Sequence, residues 1–503
     1  KQVISTYSSY KEYTVWCREC VISDDWDPTT YGRAYDPNRP FFDQVDELFR
    51  EVPKIALTHV RSVNSEYSNI AADNKDCYMI VESSNNENCY YGYWLQVSRD
   101  SIDTSFAHQA ELCYESDDVE KTYRLFYSKG CVDSRDSYFL FNSRGCSDCI
   151  GCINLRNKQY YIFNQAVGKD AYEKFLAEAW LDTYEGVETL RKKVAEFIAT
   201  QPRKYAEITN APNSTGNYIS NARDCRQCFF AYDAENCAYS NGVWRGAKDC
   251  MDCDTSGRTA ELNYNCLNTA LEASQCIGCQ LCWGSHSLLY SFDCGGSHDC
   301  IGSSGLVKKE YCILNKQYSK EEYEKLRDEI IERLKKEGTY GEFFPRELSP
   351  FGYNETAAQD LYSLTKEEAL AAGYAWEEYP RGTFGKETQK WENLPASIKD
   401  TEFLDISQEV FECTQCSKNY RIVPNEFGFY KQLSIPLPRL CPDCRHARRF
   451  KARGPNSLWH RFCQCTQQEH QHPVPCRNEF DTSYAPDRPE IVYCEECYTA
   501  EVV

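Results

Sequence analysis

The sequence predicts a mainly β protein: a tandem parallel β-solenoid, duplicated and flanked by helical caps, followed by a pair of zinc-ribbon or treble-clef modules. Three observations carry this prediction. A pattern repeats every twelve residues, the repeating region recurs at an offset of 151 residues, and paired cysteines with zinc-knuckle spacing lie near the C-terminus.

The twelve-residue repeat consists of a small or thiol residue followed by a large apolar one. Its first positions are Cys77, Cys89, Ser101, Cys113, Leu125, Ser137, Cys149 and Tyr161. A fixed step of this kind is typical of stacked coils. A second inward row six residues on, at Ser83 and Leu95, fits a flattened coil of two short strands and two turns. A coil of 24 residues with two equivalent halves fits equally well.

The duplication aligns Cys149-Ile150-Gly151 with Cys300-Ile301-Gly302 without a gap. The register slips by one or two residues between Cys237 and Cys266, which predicts a bulged coil. We therefore expect solenoid copies over residues 71–168 and 221–316.

Apolar residues at steps of three and four predict helices over residues 169–201 and 317–337. We expect each helix to cover an apolar end of its solenoid. Residues 1–70 form an N-terminal segment with one cysteine knuckle. Residues 338–405 form a linker whose short helix is capped by Thr365 and Glu368.

The strongest motif is a quartet of cysteines within residues 406–450, the first ribbon. Two knuckles separated by 24 residues suit a tetrahedral zinc ion, and four thiolates leave no open position for catalysis. The predicted ligands are Cys413, Cys416, Cys441 and Cys444.

A second zinc site is predicted in residues 451–503, the second ribbon. Cys494 and Cys497 form its knuckle, and Cys476 is the third ligand. Candidates for the fourth ligand are Cys463, Cys465, His470 and His472. We favour Cys465, because another thiolate closes the site. Each ribbon is expected to have a core separate from that of the solenoids.

The other cysteines are less specific. Possible further zinc ligands are Cys17, Cys20, Cys146, Cys149, Cys152, Cys276, Cys279 and Cys282. The first two lack a local partner, with His59 as one distant candidate. The two triplets fit buried free thiols, zinc ligands or disulfides, and these alternatives stay open.

A basic run lies between the two predicted zinc sites. Its members are Arg445, Arg448, Arg449, Lys451, Arg453 and Arg461. On a helix they would lie along phosphates, which predicts contact with nucleic acid or a ribonucleoprotein. The chain also has 76 acidic residues, so the arginines could equally pair with carboxylates of the same protein.

Composition narrows the function. The net charge of −20 opposes general coating of nucleic acid, so any such contact is local. No run of eighteen apolar residues occurs, which excludes a membrane-spanning helix from the sequence pattern. The paired spacing of the 30 cysteines favours zinc in a reducing, cytoplasmic compartment over disulfides. The chain begins with Lys rather than Met, which suggests that a natural N-terminus precedes it.

No nucleophile elbow, phosphate loop or metalloprotease helix is present. Scattered residues such as His108, Glu111 and Cys113 could provide an acid and a base, but they form no recognisable motif. We therefore expect a non-catalytic scaffold. A scaffold for protein interaction or self-assembly is the alternative, and a metal-dependent hydrolase or thiol redox protein is the third hypothesis.

Several motifs resemble an uncharacterised cysteine-rich family from candidate-phyla bacteria with reduced genomes. They include Trp26-Asp27-Pro28, Asn64-Ser65-Glu66-Tyr67, Glu111-Leu112-Cys113-Tyr114 and the segment from Tyr484 to Cys494. Residues 413–445 also resemble a widespread zinc-ribbon type. The resemblance covers nearly the whole chain and implies zinc and this architecture, with no activity to transfer. Ser101 and Ser137 stand where the family uses Cys, which argues against a continuous metal ladder.

Overall fold

The computed structural model describes residues 4–65, 67–269, 271–379, 382–401, 405–406, 408–470 and 472–502. The fold is mostly β and contains many parallel strands. Two stacks of parallel strands, flanking helices and two C-terminal cysteine modules make up the described molecule. None of its helices is both long and apolar enough to cross a membrane.

The N-terminal segment precedes the first stack. It contains β1 (Val15–Trp16), α1 (Arg18–Val21), a 3₁₀ helix (Pro28–Tyr31), α2 (Phe41–Glu51) and β2 (Lys54–Ile55). Strand β1 pairs in parallel with β2. Phe41 and Val45 of α2 are buried against Ile301 and Ile313, so this segment packs on the distant second stack.

The first stack spans residues 59–166. Its strands are β3 (His59–Val60), β4 (Ala71–Ala72), β5 (Tyr93–Gln96), β6 (Ser105–Glu111), β7 (Asp117–Phe126), β8 (Lys129–Val132), β9 (Arg135–Phe141), β10 (Ser147–Ile153), β11 (Gln159–Ile162) and β12 (Gln165–Ala166). One column of parallel pairs runs through Tyr78, Tyr90, Ile102, Tyr114, Phe126, Tyr138, Ile150 and Ile162. Each residue therefore pairs with the one twelve positions later, and the alternative interval of 24 residues is wrong.

Every twelve-residue unit of this stack turns four times. A residue with positive φ occurs at every third position, as at Asp76, Met79, Glu82 and Asn85. The residue that follows each of them points inward and is buried, as at Cys77, Ile80, Ser83 and Asn86. The stack thus has four inward rows, whereas the sequence suggested two. Each of the four straight segments of a unit contains only three residues, because the chain turns at each positive-φ position.

Inward serines satisfy backbone groups of the neighbouring unit. The Ser137 hydroxyl accepts a hydrogen bond from the backbone N–H of Cys149 at 3.0 Å, and Ser83 does the same for Leu95 at 3.0 Å. Since a buried N–H without a partner is costly, a small side chain with an acceptor atom suits these rows. Serine meets this requirement, which fits its frequent occurrence among the buried residues of these rows.

The second stack spans residues 208–317. Its strands are β14 (Ile208–Thr209), β15 (Gly216–Ser220), β16 (Cys228–Tyr232), β17 (Asn241–Trp244), β18 (Asp254–Gly257), β19 (His286–Leu289), β20 (His298–Ile301), β21 (Glu310–Ile313) and β22 (Lys316–Gln317), after β13 (Pro202–Lys204). Arg223 pairs with Glu235, twelve residues on, but Glu235 pairs with Lys248, thirteen on. The step stays at thirteen up to Ser274 and then returns to twelve, which is the predicted slip in register.

Helices lie along the sides of the stacks. They are α3 (Lys169–Glu178), α4 (Tyr184–Ala199) and α5 (Lys320–Glu337). Val187 and Val194 of α4 pack with Ile150 on the outer face of the first stack. We expected these helices to cover the ends, but the apolar outer columns need cover along their length. The parallel ladders end instead where β12 and β22 pair antiparallel with β11 and β21.

The linker holds 3₁₀ helices Arg346–Leu348, Tyr353–Glu355, Trp391–Asn393 and Ile398–Asp400, with α6 (Ala358–Leu361) and α7 (Lys366–Ala371). Thr365 and Glu368 form the predicted capping box at α7. The cysteine modules contain β23 (Phe411–Glu412), β24 (Asn419–Tyr420), α8 (Pro424–Leu433), α9 (Pro442–Arg453), β25 (Trp459–Phe462), β26 (Glu479–Thr482), β27 (Ile491–Tyr493) and α10 (Glu495–Val502).

The first cysteine module shares its core with the first stack. Phe411 and Tyr430 are buried in the same apolar cluster as Tyr114, Phe126 and Ile150. The expectation of separate cores is therefore wrong for this module. The outer column of the stack is wide and aromatic, and the module covers part of it.

Candidate metal centres and the arginine helix

Cluster A comprises Cys413, Cys416, Cys441 and Cys444, whose sulfur atoms all lie within 4.8 Å of one another. Cys413 follows β23, and Cys441 and Cys444 lie at the start of α9. The Sγ atoms of Cys416 and Cys441 are 3.7 Å apart, close to the edge of about 3.8 Å that a Zn–S bond of about 2.3 Å gives a tetrahedron. The four residues that the sequence predicted thus fit one metal ion.

The electrostatics of cluster A favour a thiolate at Cys413. The backbone N–H of Cys441 donates to the Cys413 sulfur at 3.2 Å. Burial opposes ionisation of Cys413, but the backbone N–H groups of Cys441 and Cys416 outweigh it and lower the pKa of the Cys413 thiol to about 7. Burial has the opposite effect on the two cysteines at the start of α9: it raises the pKa of the Cys441 thiol to about 12 and also raises the pKa of Cys444.

Cluster B comprises Cys463, Cys476, Cys494 and Cys497, all buried and again within 4.8 Å of one another. The backbone N–H of Cys494 donates to the Cys463 sulfur at 3.2 Å, as Cys441 does to Cys413. Cys463 directly follows β25, just as Cys413 directly follows β23. Three of the four predicted ligands come together here, with Cys463 in the place for which we favoured Cys465.

Cys465 lies beside a different set of side chains. Its sulfur is 3.2 Å from Nδ1 of His470. Together with His472 and Cys497 these residues form a third group of donor atoms within 4.8 Å of one another. All four candidates for the uncertain ligand therefore lie at or next to cluster B.

The other candidate cysteines are not brought into such a group within the described residues. The triplets at Cys146, Cys149 and Cys152 and at Cys276, Cys279 and Cys282 occupy neighbouring inward rows and are fully buried. The sulfurs of Cys17 and Cys20 lie 3.3 Å apart, but His59, in β3, joins no donor group with them. The interior cysteines pack with the apolar residues of their stacks.

The arginines of α9 are paired with carboxylates of the same chain. Arg445 contacts Asp103 at 2.6 Å and Glu426 at 3.2 Å, and Arg449 contacts Asp103 at 3.0 Å. Arg445 and Asp103 are 1% and 0% exposed as side chains. This network corresponds to the second of the two alternatives for the basic run, pairing within the protein.

Two further arginines continue this pattern along the helix. Arg448 contacts Glu115 at 2.5 Å. Burial opposes ionisation of Glu115, but Arg448 and Arg191 outweigh it and lower the pKa of that carboxyl from 4.5 to about 2. Arg453 contacts Asp117 at 3.1 Å.

The tip of α9 lies between the two stacks. The Arg453 guanidinium is 3.6 Å from the ring centre of Phe106 in the first stack and 4.2 Å from that of Phe230 in the second. The two rings stack on each other at 4.6 Å. Phe450 of the same helix is buried against Phe106. Cation–π and aromatic contacts thus join helix and stacks.

Two predicted nucleic-acid residues remain outside this network. Lys451 is exposed on α9. Arg461 on β25 donates to Gln464 at 2.9 Å and is partly exposed.

Sequence reasoning missed the acidic partners of the helix. Asp103 and Glu115 are twelve residues apart, so they occupy the same position in successive units. The twelve-residue repeat therefore indicates that two carboxylates lie side by side on the stack. It does not indicate which segment of the chain packs against them.

A cavity of about 960 Å³ lies between the stacks and is lined by residues that include His108, Asp118, Arg203 and Trp244. Burial lowers the pKa of His108. Cys113 points into the interior of the first stack instead, so His108 and Cys113 do not form the acid–base set considered from the sequence.

Comparisons with known proteins add no family. No protein-family model and no curated protein matches the chain. One solved structure with local similarity, provisionally assigned as an acetyltransferase from Desulfovibrio desulfuricans, is 10% identical over 47% of this chain and 66% of that protein, with a TM-score of 0.11. A score this low carries no argument about fold or function.

Proposed function

We propose that the protein is a non-catalytic zinc-binding scaffold, in which zinc fixes a helix that clamps two β-solenoids together. Parallel pairing at an interval of twelve residues in the first stack, and of eleven to thirteen in the second, supports the solenoid assignment. All-thiolate donor sets of tetrahedral size support zinc as the metal and a structural role for it.

The path of α9 is the observation that carries this proposal. The helix begins at cluster A with Cys441 and Cys444 and ends with Arg453, whose guanidinium contacts both Phe106 and Phe230. A metal ion that orders its first turn therefore also positions the arginines that reach both stacks. Because each cluster supplies four thiolates, the ion gains no open position for a substrate.

Removal of the metal from the full chain by a strong chelator tests the proposal. We expect hydrogen exchange at α9 to accelerate and protease cleavage within residues 338–405 to increase, while the circular dichroism of the strands persists. Unchanged protection of α9 in metal-free protein would contradict the clamp.

Contact with nucleic acid is now proposed for two residues alone, Lys451 and Arg461, because the other arginines of the basic run pair with carboxylates of the same chain. Fluorescence anisotropy with short RNA and DNA at low salt tests it, with the double variant Lys451→Ala and Arg461→Ala as the comparison. Absence of binding by the wild-type protein would remove nucleic acid from the proposed partners.

Protein interaction is the second candidate function, and an exposed apolar strip favours it. Tyr239, Met251 and Tyr264 lie on successive units of the second stack and are 44%, 42% and 37% exposed. Sedimentation velocity over a range of concentrations tests self-association, and Met251→Glu should weaken it. A protein that stays monomeric at all concentrations would exclude self-association, and the proposed partner would then have to be a different protein.

A further inference from the structure

One sulfur atom belongs to two groups of metal donors. Cys497 is part of cluster B and also lies within 4.8 Å of donor atoms from Cys465, His470 and His472. We propose that the C-terminal module holds two zinc ions bridged by the Cys497 thiolate. Cys463, Cys476 and Cys494 complete the first coordination sphere, and Cys465, His470 and His472 complete the second.

The hydrogen bonding of the His472 ring is the first independent observation that supports the second zinc ion. Its Nδ1 lies 2.8 Å from the carbonyl oxygen of Pro473, so Nδ1–H donates there and leaves the lone pair on Nε2. That Nε2 atom is buried and has no hydrogen-bond partner among the described residues. A metal ion is the partner that this arrangement suits, since ligating histidines commonly donate their other N–H to a backbone carbonyl.

The geometry of His470 is the second support. The distance of 3.2 Å from its Nδ1 to the Cys465 sulfur is close to the tetrahedral edge of about 3.5 Å expected for Zn–N and Zn–S bonds of about 2.0 and 2.3 Å. Its Nε2 lies 3.6 Å from the Glu501 carboxylate. A carboxylate behind a ligating imidazole is the usual outer partner of a zinc histidine.

The charge balance also favours a second ion. Four thiolates around one Zn²⁺ have a net charge of −2 in a buried site. With Cys465 ionised, five thiolates around two Zn²⁺ have a net charge of −1. A bridging sulfur places the two ions at most about 4.6 Å apart, twice the Zn–S bond length, which the overlap of the two donor groups permits.

Two zinc ions that share Cys497 also explain why the sequence offered four candidates for one ligand position. Cys463, Cys465, His470 and His472 competed for one position when a single ion was assumed. With two ions all four are ligands. The competing explanation is that Cys465 and His470 form a hydrogen bond beside a single ion.

Metal content of the full chain, purified in zinc-containing buffer, tests the proposal. Elemental analysis should give three zinc ions per chain, one in cluster A and two in the C-terminal module. His472→Gln should reduce the content to two, while the exposed His460→Gln on β25 should leave it at three. Two ions per wild-type chain would overturn the proposal.

Cadmium-113 NMR tests the bridge without any variant that could fail to fold. In the wild-type chain exchanged with ¹¹³Cd, two of the three resonances should split each other by scalar coupling through the Cys497 sulfur. The third, from cluster A, should remain uncoupled. Three uncoupled resonances would overturn the shared ligand, and two resonances would overturn the second ion.

Discussion

Asp103 is the residue on which the buried arginine network depends. It is fully buried and contacts both Arg445 and Arg449. Since a buried charge that loses its partner is costly, the network stabilises the fold only while it is complete.

Replacing Asp103 with Asn should therefore destabilise the protein by about 3–5 kcal/mol, because two guanidinium groups lose their shared counter-charge. Chemical denaturation of the full chain measures this. Asp73→Asn is the matched control, since Asp73 pairs with Arg61 in the same stack at an exposed site and should cost under about 1 kcal/mol. Equal losses for the two variants would contradict the role of burial.

Glu115 makes the stability depend on pH. Its pKa in the folded protein is about 2, below its ordinary value of 4.5. A lowered pKa contributes stability above pH 4.5, and this contribution is lost as the pH falls from 4.5 towards 2. The difference in unfolding free energy between the wild type and Glu115→Gln should shrink over this window.

Glu115 belongs to none of the donor groups, so we expect the wild type and Glu115→Gln to release metal alike in acid, and that effect should cancel in the difference. Glu196→Gln, at an exposed position on α4, is the control for loss of one carboxylate. A difference that stays constant between pH 5 and pH 2 would refute the assignment to Glu115.

At the scale of the element, the inward rows depend on side chains that accept hydrogen bonds. Ser137→Ala leaves the backbone N–H of Cys149 without its acceptor and should cost about 1–3 kcal/mol. Ser137→Cys keeps an acceptor and should cost less. Thermal denaturation of the wild type, Ser137→Ala and Ser137→Cys ranks their stabilities. Equal losses in the two variants would show that the hydrogen-bond acceptor does not matter at this position.

The parallel ladder was predictable because Tyr90, Ile102 and Tyr114 form a visible apolar column at a constant step. The two additional inward rows were not, because buried residues such as Asn86 in one row and Ser116 in the other look like surface residues in a sequence. Cluster A followed from its spacing. The choice of Cys463 over Cys465 did not, because it depends on where β25 ends. The partners of the arginines depend on contacts over more than 300 positions.

At the scale of the whole molecule, α9 holds the two stacks and cluster A in one arrangement. Arg453→Ala removes the side chain that contacts both Phe106 of the first stack and Phe230 of the second. We expect a larger radius of gyration by small-angle X-ray scattering, with zinc content unchanged. Lys451→Ala, on the exposed side of the same helix, should leave the radius as it is.

Cluster A should influence more than its own module. Because Cys413 and Cys441 share a core with Tyr114 and Ile150, Cys441→Ser should increase hydrogen exchange in α4 and along the outer column of the first stack. The inward rows should stay protected. Loss of protection confined to residues 406–450 would restore the picture of separate cores.

The three thirteen-residue units of the second stack absorb their extra residue at one corner. Consecutive positive-φ residues occur at Arg245 and Gly246, at Arg258 and Thr259, and at Leu271 and Glu272. These pairs are thirteen residues apart, so the added residues lie directly above one another. The insertion of one residue at this corner lengthens a unit, but the residues of its inward rows stay buried and those of its outer face stay outside. A unit can therefore change its length by one residue at this corner while its inward side chains stay inward.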